Sequence, residues 1–136
     1  MSTPVIHKGY PQRVRLSRRA GFRLHEQHPG AVVVSRPSKF GNPFTVADAL
    51  EAGMATTAAE AREVCARFFR LWLEDHVDGA WLISNPMLIV RRAWILERLT
   101  DLTGRPLSCW CPLPPPGEVD HCHAAVLIEF ANQGGN

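Results

Sequence analysis

Gly30-Ala31-Val32-Val33-Val34-Ser35-Arg36-Pro37 sets an unbroken apolar run, three of its residues β-branched, between a glycine and a proline. β-Branched side chains are stiff at χ1 and fit a pleated surface. An apolar run of this length without alternation predicts a strand covered on both faces. Such strands belong to small parallel or mixed sheets flanked by helices.

The segments C-terminal to it supply those helices. Thr45 is placed to cap a short helix reaching about Ala52, with Gly53 as its stop. Thr57 opens a longer one, whose stripe of Ala61, Val64, Cys65, Phe68, Leu71 and Trp72 has helical spacing. Glu63–Arg67 and Arg70–Glu74 are favourable pairs four residues apart on its polar face. Asp78-Gly79 predicts a turn, and Ala80-Trp81-Leu82-Ile83 either a brief strand or a helix lead-in. Ser84-Asn85-Pro86 predicts a helix start, because proline suits the first helical position. That helix is expected to reach about Leu102 and to end at Gly104.

Pro106 to Cys111 is a second strand candidate, and Val14-Arg15-Leu16 a third. Four prolines between positions 112 and 117 exclude helix and sheet there and predict an extended loop. A last helix is expected from about His121 to Asn132, with Asp120 as its N-cap. Residues 20–29 read as loop, residues 1–12 as a flexible lead-in and 133–136 as a tail. The expectation is one compact α/β domain over residues 13–132, with no internal repeat.

Charge is uneven along the 136 residues. The first 40 carry eight Lys and Arg against one acid, Glu26, whereas the remainder carries seven against twelve. A basic end on a chain of net charge +2 suits an anionic partner such as a nucleotide, phosphosugar or nucleic acid, and equally a solvated basic surface. No run is long and apolar enough to span a bilayer, and no signal peptide opens the chain, so a cytosolic protein with reduced thiols is expected.

Thiols matter because three of the four cysteines and two of the six histidines fall between Ser108 and His123. Cys109, Cys111, Cys122 and His123 have the ligand types and number that zinc takes. The Cys-x-Cys spacing opposes this reading in an ideal strand, where positions two apart are separated by about 6.6 Å. Sulfurs around one zinc lie about 3.8 Å apart, so the chain would have to bend near Trp110 or Cys111. A second reading makes Cys122 and His123 reactive groups at a helix start, with Cys109 or Cys111 as partners. A third treats the thiols as small buried hydrophobes, which suits Cys65 on its helical stripe best. His121 reads as a loop histidine.

The other focus is Arg36-Pro37-Ser38-Lys39-Phe40-Gly41-Asn42-Pro43-Phe44, directly after the apolar run. Arg36 and Lys39 supply cations, Gly41 an open backbone, and Asn42 both a donor and an acceptor. These are the needs of a phosphate or carboxylate site, although the spacing is not that of a P-loop. The alternative is a solvated loop pinned by Phe40 and Phe44. Ligands of open α/β sheets bind beyond the C-terminal strand ends, where both foci are expected.

With both motifs in view, the chain resembles a small bacterial and phage family known as a domain of unknown function, DUF4326. The resemblance rests on residues 36–44, with Phe40 in place of a tryptophan. It rests also on Cys109-Trp110-Cys111 followed by Cys122-His123-Ala124-Ala125-Val126-Leu127. Ala125 stands where the family pattern has aspartate, so a carboxylate role is absent there, and the intervening loop is longer than the pattern. The resemblance implies a fold and a site and brings no reaction with it.

The expected function is recognition of a nucleotide or nucleoside, with hydrolase or transferase chemistry at an N-glycosidic or phosphoester bond. Arg36, Lys39, Gly41 and Asn42 would hold the ligand, and Cys109, Cys111, Cys122 and His123 would perform chemistry or hold zinc. The alternative is a non-enzymatic nucleic-acid-binding module with structural, zinc-holding cysteines.

Overall fold

A computed structural model describes residues 11–79 and 83–133. Three short strands form one sheet: β1 (Arg13–Arg15), β2 (Val32–Val33) and β3 (Leu107–Cys109). The order is β1-β3-β2 and both pairings are parallel, with Val14 and Val33 each opposite Ser108. The last strand in sequence is therefore the central one. All three of its residues are buried, and its ladder extends through Leu16 N–H to Cys109 O and Val34 N–H to Ser108 O. The edge strand β2 is not covered on both faces as its composition predicts. Val33 is 41% exposed while Ala31 and Val34 are buried.

Parallel neighbours require crossovers, and helices provide them. The described residues contain α1 (Leu24–Gln27), α2 (Val46–Glu51), α3 (Ala58–Leu73), α4 (Pro86–Glu97) and α5 (His123–Gln133). The one-turn α1 lies in a segment expected to be loop, and it buries no residue. Thr45 caps α2 by accepting from Asp48 N–H at 3.1 Å, and Gly53 follows with φ of +75°, a conformation open to glycine. Thr57 caps α3 in a reciprocal box with Glu60, which satisfies two orphan donors at once. Glu60's carboxyl is held below its ordinary range, first by the Thr56 hydroxyl and then by nearby backbone N–H groups.

The α4 helix is shorter than expected. At Arg98 the bonding tightens to the carbonyl three residues back, and a 3-10 turn (Leu99–Leu102) replaces the last α-turn before Gly104. The strand-or-helix alternatives for residues 80–83 lie mostly outside the described residues, as do the body of the N-terminal lead-in and the end of the tail.

The core joins α3, α4, α5 and the sheet through Val34, Phe69, Trp72, Ile95, Leu102, Leu107 and Leu127. The α3 helix is rotated relative to its expected stripe. Phe69 and Leu73 are buried, whereas Val64, Phe68 and Leu71 are half-buried. Phe69 packs against Trp72, with ring centroids 5.7 Å apart, and edge-on against the His123 ring at 5.2 Å. Arg70 also departs from expectation. Its guanidinium makes two 2.7 Å bonds to Glu129 on α5, and Glu74 adds only a weaker charge effect. A smaller cluster of Ala49, Ala55, Ala61 and Cys65 seals α2 against α3, as the core reading of Cys65 predicts.

Candidate functional site

Because all three strands run the same way, their C-terminal ends share one edge. Ser35-Arg36 follows β2 there, Trp110-Cys111 follows β3, and Cys122-His123 opens α5 above them. These segments line one cleft of about 220 Å³. Ser35, Arg36 and Asn42 form one wall, Arg62 and Cys65 from α3 another, and Cys109, Cys111, Cys122 and His123 the remainder. The two sequence foci thus meet.

The Cys-x-Cys spacing is accommodated by a bend. β3 stops at Cys109, and the chain turns through Trp110 and Cys111, bringing the Cys109 and Cys111 sulfurs to 3.9 Å. The Cys122 sulfur joins them, so the three lie within 4.8 Å of one another, close enough to share a metal ion. His123 stands beside the triad with Nδ1 3.9 Å from Cys122 Sγ. Its Nε2 lies 2.8 Å from Val34 O. A carbonyl only accepts, so Nε2 carries a proton, and in the neutral ring Nδ1 is then the lone-pair nitrogen facing Cys122 Sγ. None of the four cysteines is in a disulfide.

Crowding dictates how the thiols ionise. Cys109 is pushed down by its side-chain interactions with Cys111 first and then Cys122. Cys122 is pushed far up, first by Cys109, then by Cys111 and by burial, and Cys111 is raised chiefly by Cys109. The three sulfurs therefore titrate as one unit, in which a first thiolate opposes ionisation of the other two. Cys65 lies apart from the triad, and burial raises its thiol.

Asp120 does not cap α5, which begins only at His123. Its carboxylate is taken by Arg13, which donates from Nε at 2.8 Å and from Nη2 at 3.0 Å. The same guanidinium donates to Cys111 O and Pro112 O, both at 2.6 Å. Arg13 on β1 therefore clamps both ends of the proline loop and fixes the bend that carries Cys111. Composition marked Arg13 only as one of many basic residues.

The Arg36 loop is more structural than its composition predicts. Arg36 Nη1 donates to Asn42 O at 2.7 Å while the residue remains exposed at the cleft. Asn42 is buried, and both ends of its amide are engaged, Nδ2 with Cys65 O and Oδ1 with Phe44 N–H. A Cβ on Gly41 would come within 2.8 Å of Arg36 Cγ and 2.9 Å of Ser38 O, so its missing side chain serves the loop's own closure. Lys39 does not line the cleft, and its Nζ sits 5.5 Å over the Trp94 ring instead. A long, flexible ammonium side chain takes an aromatic face when one is near, which sequence spacing cannot foretell.

Three lining residues were not singled out as ligand-binding groups. Arg62 brings a further guanidinium, His121 an imidazole whose Nε2 lies 3.9 Å from a Glu63 carboxylate oxygen, and Trp110 an exposed aromatic face. Beyond Trp110 lies a basic shelf formed by Arg15, Arg18 and Arg19, with the Arg18 guanidinium 4.4 Å over the indole. A larger groove of about 1110 Å³ between α2, α3 and the start of α4 has a mainly apolar lining, and residues 80–82, next to it in sequence, are not described. Among the described residues no helix is long and apolar enough to cross a membrane.

Comparison with curated proteins and with solved structures finds no match. The family described as a domain of unknown function, DUF4326, matches residues 14–133, which takes in β2, β3 and all of β1 but Arg13, together with the Arg36 loop and every residue of the thiol cluster. With most of its length matched, the chain belongs to the DUF4326 family.

Proposed function

We propose that the cleft recognises a small anionic ligand of the nucleotide or nucleoside class, in a cytosolic setting that keeps its thiols reduced. The observation that carries this reading is the convergence of the Arg36 and Arg62 guanidiniums on one concavity that ends against Trp110. Cations in a concave site bind phosphate or carboxylate, and an exposed indole offers a stacking face to a base. A volume of about 220 Å³ suits a phosphate or a sugar better than a whole nucleotide. The base would then lie over the face of Trp110 opposite the Arg18 guanidinium, and further phosphates would reach the shelf of Arg15, Arg18 and Arg19. Hydrolase or transferase chemistry at an N-glycosidic or phosphoester bond is the reaction class such a ligand brings.

That shelf also supports a second reading, a non-enzymatic module that binds nucleic acid along the basic N-terminal third. The two separate in solution. In the first, one member of a panel of nucleosides, nucleotides and phosphosugars raises the unfolding temperature, by an amount equivalent to about 2.7 kcal/mol at a hundredfold excess over Kd. Arg36→Ala and Arg62→Ala then abolish the protection while the chain still folds. If no small ligand protects the chain and oligonucleotides bind with affinity that falls steeply with salt, the second reading replaces the first.

A further inference from the structure

We infer that Cys109, Cys111, Cys122 and His123 together hold one tetrahedral zinc ion through three thiolates and the Nδ1 of the imidazole. Sulfurs at about 2.3 Å from zinc stand about 3.8 Å apart in a tetrahedron. Cys109 and Cys111 already stand at 3.9 Å, and the third sulfur falls within 4.8 Å of both. A thiolate and an imidazole nitrogen on one zinc are separated by about 3.5 Å; His123 Nδ1 stands 3.9 Å from Cys122 Sγ and lies outside the group of three sulfurs that fall within 4.8 Å of one another, so the ring must shift toward them to complete the tetrahedron. Soft sulfur donors with one imidazole exclude magnesium and calcium, which take oxygen.

The surroundings match those of a ligand set. Metal-bound histidines donate their other ring N–H to a carbonyl or carboxylate, which fixes the tautomer. His123 does this to Val34 O at 2.8 Å, and Phe69 packs edge-on against the ring. Arg13 holds the Cys111 and Pro112 carbonyls, so the bend that presents the Cys111 sulfur is anchored from β1. Zinc with three thiolates and a neutral imidazole carries a net charge of −1. The first turn of α5, with its positive dipole end and no acidic residue, favours that charge.

Four protein ligands leave no position open for substrate. The ion is therefore a pin that ties the end of β3 to the start of α5 and shapes the cleft wall. A buried Cys122, 2% exposed, serves that role and not attack on a ligand. The inference stands whatever ligand the cleft takes.

The test uses the full chain, purified with a phosphine reductant and without chelator. Elemental analysis is expected to find one zinc per chain, and stripping it should lower the unfolding temperature. Cobalt reconstitution should give the intense visible bands of a tetrahedral site with sulfur-to-metal charge transfer. Cys111→Ser, at a half-buried ligand, should lose the metal, whereas Cys65→Ala should keep it. His123→Gln should shift the cobalt bands, and an unchanged spectrum would overturn the nitrogen ligand. Iron in place of zinc would overturn the metal assignment. A wild-type chain with four reduced thiols that takes up neither zinc nor cobalt would overturn the site. None of these readouts involves a nucleotide, so they stand or fall apart from the ligand reading.

Discussion

Replacing Arg13 by Met should be among the costliest single changes outside the apolar core. The side chain is 5% exposed and its partner Asp120 17%. Methionine keeps the aliphatic stem and deletes all four hydrogen bonds of the guanidinium, two to the carboxylate and two to carbonyls. Removing one partner of a buried ion pair costs about 3–5 kcal/mol, because the other charge is left without compensation. Water reaches Asp120 in part, so about 3 kcal/mol is the expected loss. At about 4 °C per kcal/mol for a domain of this length, the melting temperature should fall by about 12 °C. Urea unfolding of wild type, Arg13→Met, Asp120→Asn and the double variant, at matched metal content, measures both the loss and the coupling. A coupling of about 2 kcal/mol is expected, with the urea dependence unchanged. A loss below about 1 kcal/mol, the range of an exposed pair, together with additive single variants, would show that Arg13 is no clamp.

Two further outcomes follow from the helices. Hydrogen bonds from Arg70 hold the Glu129 carboxyl below its ordinary range, so this pair stabilises the fold above the unfolded carboxyl's pKa and the gain is lost as pH falls through the depressed folded value. Both side chains are about a third exposed, so Glu129→Gln should cost no more than about 1 kcal/mol near neutrality and progressively less in acid; a difference that grows on acidification would reverse the assignment. Phe69→Ala should cost about 3–5 kcal/mol by denaturation and Phe68→Ala clearly less, since only Phe69 is fully buried, and equal losses would contradict the observed rotation of α3.

Elements specified by neighbours along the chain were legible in the sequence. Thr45, Thr57 and Pro86 mark helix starts because capping and the fixed φ of proline act within one turn. Gly53 and Gly104 mark stops because their positive φ is a local property. The apolar run before Ser35 marked β2, and the proline run excluded regular structure, since both signals are carried by a few adjacent residues.

What depends on distant partners was not legible. The α3 helix is apolar around much of its circumference, so Phe68 and Phe69 compete for the core until α5 and the sheet are in place. Asp120 looks like an N-cap until Arg13, 107 residues away in sequence, claims its carboxylate. Lys39 looks like a neighbour of Arg36 in one cleft until the fold sets it over Trp94, outside the cleft lining. Residue types and spacing alone put Cys109, Cys111, Cys122 and His123 on a short roster for metal or thiol chemistry. Only the parallel order β1-β3-β2 sets β3 between the other strands, bends the chain after Cys109 and carries Cys122 back over it. The physical reason is range: capping and turn preferences act over a few bonds, whereas the meeting of three sulfurs requires the whole sheet and its crossover helices to have formed.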